Sequence, residues 1–116
     1  MAVTRIVPDL ESHSLAESAA FYVDVLGLEV VMDMGWIVTL AAPGNPKLQL
    51  SLMSEDATAP VVPVASIEVD DVNEAFERMK AAGFAIEYGP VDEPWGVRRF
   101  YVRDPFGKLV NILAHA

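Results

Sequence analysis

Cysteine is absent from the 116-residue sequence, which excludes disulfides, thiolate catalysis and cysteine-bound metals. Histidine is scarce: His13 precedes a predicted helix and His115 is the penultimate residue, so we expect both to be exposed and not part of a site. The sequence also lacks a GxSxG elbow, a phosphate-binding glycine loop and an HExxH pair. Nucleophilic and phosphoryl-transfer chemistry therefore lack their usual side chains.

Positive charge is scarce as well. The 8 lysines and arginines face 17 aspartates and glutamates, and the net charge of -9 repels phosphate backbones and anionic lipid surfaces. No apolar run approaches the roughly 18 residues that span a bilayer, and the opening MAVTRIVPDLE lacks the layout of a signal peptide. We therefore expect a cytoplasmic protein with no nucleic-acid partner and no membrane partner.

Apolar residues make up 53% of the chain, enough for one domain over residues 1–116. Two segments carry the helical period. In the first, Ser14 and Glu17 have the spacing of a capping box, and the apolar stripe runs to Gly27. In the second, Asp71 is the predicted N-cap and the helix ends at Gly83.

The two helices are offset by 57 residues from cap to cap (71 − 14) and by 56 from glycine to glycine (83 − 27), which predicts an internal duplication. Predicted strands cover residues 4–10, 28–33, 35–41 and 47–53 in the first half, and 64–69, 84–88, 98–103 and 109–113 in the second. Both halves thus read βαβββ. The repeats are residues 1–53 and 64–116, joined by an extended linker over 54–63.

The final hairpin fixes which side chains share a face. Asp104, Pro105 and Gly107 predict a type I turn closed by a glycine bulge. The alternation then predicts a helix-covered face and an opposite face. The helix-covered face holds Phe100, Val102, Val110 and Ile112, and the opposite face holds Arg99, Tyr101, Leu109 and Asn111.

The sequence resembles a known superfamily in three stretches: AAFYVDVLGLEVV, IEVDDVNEAFERMKAAG and PWGVRRFYVRDPFGKLVNIL. Together they are similar to the vicinal oxygen chelate superfamily, which includes glyoxalase I, extradiol dioxygenases and bleomycin-type resistance proteins. The resemblance implies an α+β fold in which two paired βαβββ modules form a curved mixed sheet, or cup, with the helices on its outer face. It also implies a homodimer.

Enzymes of this superfamily hold a divalent metal with His, Glu or Gln side chains from the first and last strands of each module. By the family's spacing, these positions fall here on Val7, Gln49, Val64 and Asn111. Two valines cannot bind metal, and two amides are poor ligands for a divalent cation. We therefore predict no metal and no cofactor. Asn111 is instead a candidate to orient a polar ligand group, or an amide that bonds only to backbone or water.

Aromatic residues and arginines supply the other candidates. Trp36 is placed on an inner strand, where core packing is the alternative, and Trp95 in the loop EPWG is better placed to stack on a planar ligand. Tyr101 is expected to face the cup, as is Gln49 if its register holds. Arg99 is a candidate for binding an anionic group, unless it pairs with a carboxylate of this acidic chain.

The leading hypothesis is a metal-independent protein that binds a small aromatic or planar molecule. The PWGVRRFYVRDPFG run resembles the antibiotic-sequestering resistance branch, and a charge of -9 suits cationic drugs. A second hypothesis is a metal-dependent lyase, isomerase or dioxygenase of the same superfamily. A third is a vestigial cup in a protein that acts through protein contacts. Whether the chain is an enzyme stays open, with a binding protein favoured.

Overall fold

The computed structural model describes residues 1–59 and 61–116, and within them the fold is mixed α+β, as predicted. The elements in chain order are β1 (Val3–Glu11), α1 (Leu15–Ala19), β2 (Glu29–Asp33), β3 (Ile37–Ala42), β4 (Asn45–Met53), β5 (Ala65–Val69), α2 (Val72–Ala81), β6 (Ile86–Asp92), β7 (Val97–Arg103) and β8 (Leu109–His115). They divide into two compact units, one of residues 7–62 and one of residues 1–6 with 63–116. No helix in the described ranges is long and apolar enough to cross a membrane.

In the unit of residues 7–62 the strands lie in the order β2-β3-β4-β1, with β1 parallel to β4. The predicted cap of α1 is confirmed, because Ser14 Oγ accepts a hydrogen bond from the Glu17 amide at 3.2 Å. Val38, Leu40 and Leu52 form the buried core, against which α1 and the segment after it pack.

The first helix departs from its prediction. After Ala19 the chain continues as a π-helix over Ala20–Val25 rather than as regular α-helix to Gly27. The Leu26 amide donates to the Phe21 carbonyl at 3.3 Å, an i to i−5 bond. Since Tyr22 and Val23 both pack on the core, the wider turn brings two consecutive side chains to the sheet.

In the other unit the strands lie in the order β5-β8-β7-β6, with β5 parallel to β8. The cap of α2 is confirmed, because Asp71 Oδ1 accepts from the Glu74 amide at 3.0 Å. The buried core beneath α2 consists of Val69, Val72, Ala75, Phe100, Val102 and Ile112. The predicted helix-covered face is thereby confirmed, since Val110 packs against the same cluster.

The predicted turn between β7 and β8 is present. The Gly107 amide donates to the Asp104 carbonyl at 3.0 Å, and Gly107 has φ of +84°, as a glycine bulge requires. Asp104 Oδ1 also accepts from the Phe106 and Lys108 amides, each at 2.9 Å. This turn fixes the register that places Tyr101 opposite Asn111.

Two sequence-based placements need correction. Trp36 lies in the turn before β3 and not on a strand, because the Met34 amide bonds to the Ile37 carbonyl at 2.9 Å and closes that turn. β6 begins at Ile86 rather than at Phe84, since the Phe84 amide bonds to the Met79 carbonyl at 3.1 Å and completes the end of α2. Within the linker 54–63, the described residues form neither helix nor strand, and residue 60 lies outside the described residues.

Candidate functional site

Asn111 lies in the middle of β8, on the face turned away from α2. Its side chain is 7% exposed, and Nδ2 donates to Ser66 Oγ on the neighbouring strand β5 at 3.0 Å. The other end of the amide, Oδ1, is enclosed and has no hydrogen-bond partner in the part of the chain that the structure describes. A buried acceptor without a partner is rare in native proteins, and leaving such a group unsatisfied costs about 1–3 kcal/mol in general.

Arg99 and Tyr101 occupy the same face on β7, the strand next to Asn111. Arg99 is 3% exposed and Tyr101 is 1% exposed, so both polar side chains are buried. Arg99 Nη1 donates to the Tyr101 hydroxyl at 2.7 Å. The alternation inferred from the sequence therefore sets all three candidates side by side, with Arg99 and Tyr101 directly bonded.

Glu93 is the counter-charge of Arg99. The Arg99 Nε and Nη2 atoms each lie 2.6 Å from Glu93 Oε2, and the Glu93 side chain is 3% exposed. The Tyr88 hydroxyl, on β6, donates to the same carboxylate at 3.2 Å. The arginine that the sequence offered for an anionic ligand is thus paired within the chain.

Three aromatic rings surround the guanidinium of Arg99. Its Cζ lies 4.9 Å from the ring centroid of Tyr101, 5.0 Å from Trp95 and 5.4 Å from Tyr88. These distances are in the range of cation–π attraction. We call Arg99, Glu93, Tyr88, Trp95 and Tyr101 the Arg99 cluster.

The turn that follows β6 positions Trp95 over Arg99. The Glu93 amide bonds to the Val97 carbonyl at 2.7 Å, and the Gly96 amide bonds to the Glu93 carbonyl at 3.2 Å. These two backbone hydrogen bonds hold the turn together, and the Glu93 side chain forms its ion pair with Arg99. Trp95 and Tyr88 are both half-buried, unlike Tyr101, and Trp95 is the one of the two that lies on this turn with part of its ring exposed.

Gly89 allows β6 to lie close to the Arg99 backbone. Its φ is +78°, and a Cβ atom built there would overlap the Arg99 carbonyl oxygen. Gly89 therefore supports the cluster through the backbone, by letting the strand that carries Tyr88 approach β7.

Trp36 and Gln49 belong to the other unit, residues 7–62. Gln49 is half-buried on β4, and its Nε2 donates to the Pro46 carbonyl at 3.0 Å. Trp36 is half-buried in its turn, where its carbonyl accepts from the Ser54 amide at 3.0 Å. Their role in ligand binding stays a prediction.

The residues at the superfamily's metal positions do not fit a metal. Val7 is a buried apolar side chain and Val64 is 47% exposed, and neither carries a donor atom. Gln49 and Asn111 could each offer only a neutral amide oxygen, which is a poor ligand for a divalent cation without carboxylate or imidazole partners. Within residues 1–59 and 61–116, no group of three or more His, Asp and Glu side chains is arranged to hold a metal ion.

Sequence reasoning missed Glu93 and Ser66, both of which contact candidate residues. The pairing of Glu93 with Arg99 could have been predicted from the sequence. A Pro-Trp-Gly turn is preceded by two acidic residues, Asp92 and Glu93, and followed by two arginines, Arg98 and Arg99. In a hairpin, such residues lie opposite each other. The signal for Ser66 is weaker, because parallel pairing of β5 with β8 has to be known before Ser66 is seen to adjoin Asn111.

Sequence reasoning also missed Asp9 and Ser51 in the other unit. They are opposite each other on β1 and β4, and they are 4% and 3% exposed. Thr39 Oγ1 lies 2.8 Å from Ser51 Oγ. A buried polar group is thus present in that unit as well, built from residue types that carry no distinctive motif.

Two further arginines of the Asn111-bearing unit are also paired. Arg5 Nε lies 2.9 Å from a Glu68 oxygen, and Arg103 Nε lies 2.6 Å from a Glu87 oxygen. The hydrogen bond from Arg103, with a further coulombic contribution, holds the pKa of Glu87 below its ordinary value. The same bond raises the pKa of Arg103. Both side chains of this second pair are half-exposed, unlike the Arg99–Glu93 pair.

A cavity of about 250 Å³ lies on the opposite, helix-covered face of the same unit. Its lining includes Ile67, Met79 and Val110, with Arg103 and Asp104 at one side. Because Ile67, Met79 and Val110 pack against the core beneath α2, this cavity does not belong to the Arg99 cluster.

Residues 6–112 match the family model described as the Glyoxalase/Bleomycin resistance protein/Dioxygenase superfamily. The chain belongs to that superfamily. No curated protein matches the chain. The superfamily membership predicted from the sequence is confirmed. The family model covers the whole superfamily and does not distinguish its resistance proteins from its enzymes.

Several solved structures share the fold of this chain. A superfamily member from Vibrio splendidus 12B01 is 22% identical with a TM-score of 0.72, covering 99% of this chain and 100% of its own. Methylmalonyl-CoA epimerase from Streptomyces coelicolor is 19% identical with a TM-score of 0.73, covering 99% of each chain. An extradiol ring-cleaving dioxygenase from B. fuscum is 24% identical with a TM-score of 0.69, covering 98% of this chain and 33% of its own.

Proposed function

We propose that the chain is a metal-independent small-molecule-binding protein, and that its ligand binds on the sheet face that carries the Arg99 cluster and Asn111. The observation behind this proposal is the carboxamide oxygen of Asn111, which is buried without a partner in the described part of the chain. A ligand that supplies the missing hydrogen bond would satisfy a group that the ligand-free chain leaves unsatisfied.

The rings of the cluster support an aromatic or planar ligand. Trp95 is half-buried at the edge of the cluster, whereas Tyr101 is almost fully enclosed. We propose that Trp95 stacks on the ligand and Asn111 accepts its hydrogen bond, while Arg99 and Tyr101 hold the surrounding rings in place. Trp36 and Gln49 are proposed as further ligand contacts from the other repeat.

The proposal also covers the arrangement of the repeats, the oligomeric state, the cellular location and the physiological role. The two βαβββ repeats enclose a cup, two chains pair as a homodimer, and the protein acts in the cytoplasm. The physiological role we propose is sequestration of a cationic antibiotic without chemical change. The net charge of -9 supports this choice, because it attracts cations over distances comparable with the Debye length.

A panel of cationic aromatic drugs tests the proposal. The protein is held in chelator, and tryptophan fluorescence and melting temperature are recorded with each drug. We expect at least one drug to quench or shift the fluorescence saturably and to raise the melting temperature, because a ligand that binds only the folded state stabilises it. A panel that changes neither signal would contradict the proposal.

The second candidate is a metal-dependent lyase, isomerase or dioxygenase. The observation in its favour is that an epimerase and a dioxygenase share the fold of this chain. It requires metal ligands other than Val7, Gln49, Val64 and Asn111. Turnover that is stimulated by nickel, zinc, manganese or iron and abolished by chelation would establish it.

A further inference from the structure

The Arg99 cluster and Asn111 together constrain the charge of the ligand. We infer that this face selects an uncharged or cationic hydrogen-bond donor, such as an ammonium or amide N–H, and rejects organic anions, with Glu93 as the residue that sets this preference. The inference rests on the proposed function, since it specifies the chemistry of the ligand that binds there.

The first part of the argument concerns Asn111. Its Nδ2 is occupied by Ser66 at 3.0 Å, and the atom left without a partner in the described residues is Oδ1, an acceptor. A carboxylate or phosphate brings only acceptors and would repel this oxygen, whereas an N–H or O–H group satisfies it. Because Oδ1 is enclosed, the donor reaches it only when neighbouring side chains move aside.

The second part concerns Arg99, which would otherwise attract anions. Its Nε and Nη2 both lie 2.6 Å from Glu93 Oε2, and its Nη1 donates to Tyr101. With both partners 3% exposed, the pair is neutral overall and desolvated. An anionic ligand that displaced Glu93 from Arg99 would leave that carboxylate buried without its counter-charge.

The other arginines of this unit do not supply a free positive charge. Arg5 pairs with Glu68 at 2.9 Å, and Arg103 pairs with Glu87 at 2.6 Å. Arg98 lies 3.3 Å from Asp92 and also bonds to Asn73. Each of these arginines is matched by a carboxylate, so none of them gives an anion at Asn111 an unpaired counter-charge.

Three probes that share a phenyl ring and differ at the polar end test the inference: phenethylammonium as cation, phenylacetamide as neutral donor and phenylacetate as anion. Binding to the full chain is measured by titration calorimetry at one ionic strength, because exposed charges are screened by salt. We expect phenethylammonium and phenylacetamide to bind at least about tenfold more tightly than phenylacetate.

Two variants and one control variant test which residues cause the preference for donors over anions. Glu93→Gln removes the buried negative charge with little change in shape, and we expect it to strengthen phenylacetate binding by about tenfold or more. Glu87→Gln makes the same change in the half-exposed Arg103 pair and is expected to leave all three affinities unchanged. Asn111→Leu is expected to weaken the two donors without strengthening phenylacetate.

The possible results distinguish a failure of the charge preference from a failure of the proposed ligand binding. If phenylacetate binds the unaltered protein as tightly as the donors, the inference is overturned while ligand binding stands. If none of the three probes binds although a drug of the panel does, the inference fails while the proposed function stands; if neither probes nor drugs bind, both fail. The comparison of probes on the unaltered chain decides the matter even if Glu93→Gln does not fold, which circular dichroism would reveal.

Discussion

Arg99 and Glu93 form a buried ion pair, with both side chains 3% exposed and Nε and Nη2 of the arginine each 2.6 Å from one carboxylate oxygen. Such a pair is costly to break from one side, because the remaining charge stays buried. We expect Glu93→Leu to lower the free energy of unfolding by about 3–5 kcal/mol. Urea denaturation followed by circular dichroism measures this change.

The double variant Glu93→Leu with Arg99→Met is the control for this prediction. Replacing both charges by apolar side chains removes the unpaired charge, so we expect most of the lost stability to return. If the single variant is as stable as the unaltered protein, the ion pair does not have the burial described above.

Asn111→Leu tests the unsatisfied amide oxygen. Leucine has a similar size and removes both the unsatisfied acceptor and the Nδ2 bond to the half-buried Ser66, so we expect the two effects to offset each other and the stability to change little. Thermal unfolding of the ligand-free protein measures this. A large loss of stability would mean that the carboxamide has a structural role and would weaken its assignment to a ligand.

Gly89→Ala tests the close approach of β6 to β7. The substitution places a Cβ in a left-handed conformation and against the Arg99 carbonyl, so we expect the loss to exceed the roughly 1–2 kcal/mol that left-handed backbone alone costs. Gly96→Ala is the matched control, since Gly96 has φ of +88° and nothing within 4 Å of its Cβ position. Equal losses in chemical denaturation would show that the contact is unimportant.

The Glu87–Arg103 pair predicts a pH dependence of stability. Because the pKa of Glu87 is lower in the folded chain than in the unfolded chain, the pair stabilises the fold above the ordinary glutamate pKa. That contribution is lost as pH falls through the lowered value, where the folded-state carboxylate takes up a proton. The difference in urea midpoint between the unaltered protein and Glu87→Gln should therefore shrink on acidification, and a constant difference would refute this linkage.

Much of the fold follows from short-range sequence signals. Ser14 and Asp71 mark the two helix starts, and Asp104 with Gly107 marks the last hairpin, because each signal is a hydrogen bond within four residues. The π-helix over Ala20–Val25 could not be predicted from such signals, because the spacing of the apolar residues in this segment is also compatible with a regular α-helix.

The candidate site could be predicted only in part. Alternation along β7 and β8 placed Arg99, Tyr101 and Asn111 on one face without any structure. The partners Glu93 and Ser66 depend on contacts across a hairpin and between parallel strands, which sequence spacing does not specify. The unsatisfied oxygen of Asn111 is a property of its surroundings, so it is visible only in three dimensions.

Metal content tests the central claim most directly. The purified protein is dialysed against a mixture of divalent metals and then against metal-free buffer, and its metal content is measured by elemental analysis. Val7 and Val64 carry no ligand atom, and Gln49 and Asn111 offer only amides, so we predict that only trace metal is retained. Retention of nearly one metal ion per chain would contradict a metal-independent binding protein and would put the enzyme hypothesis in its place.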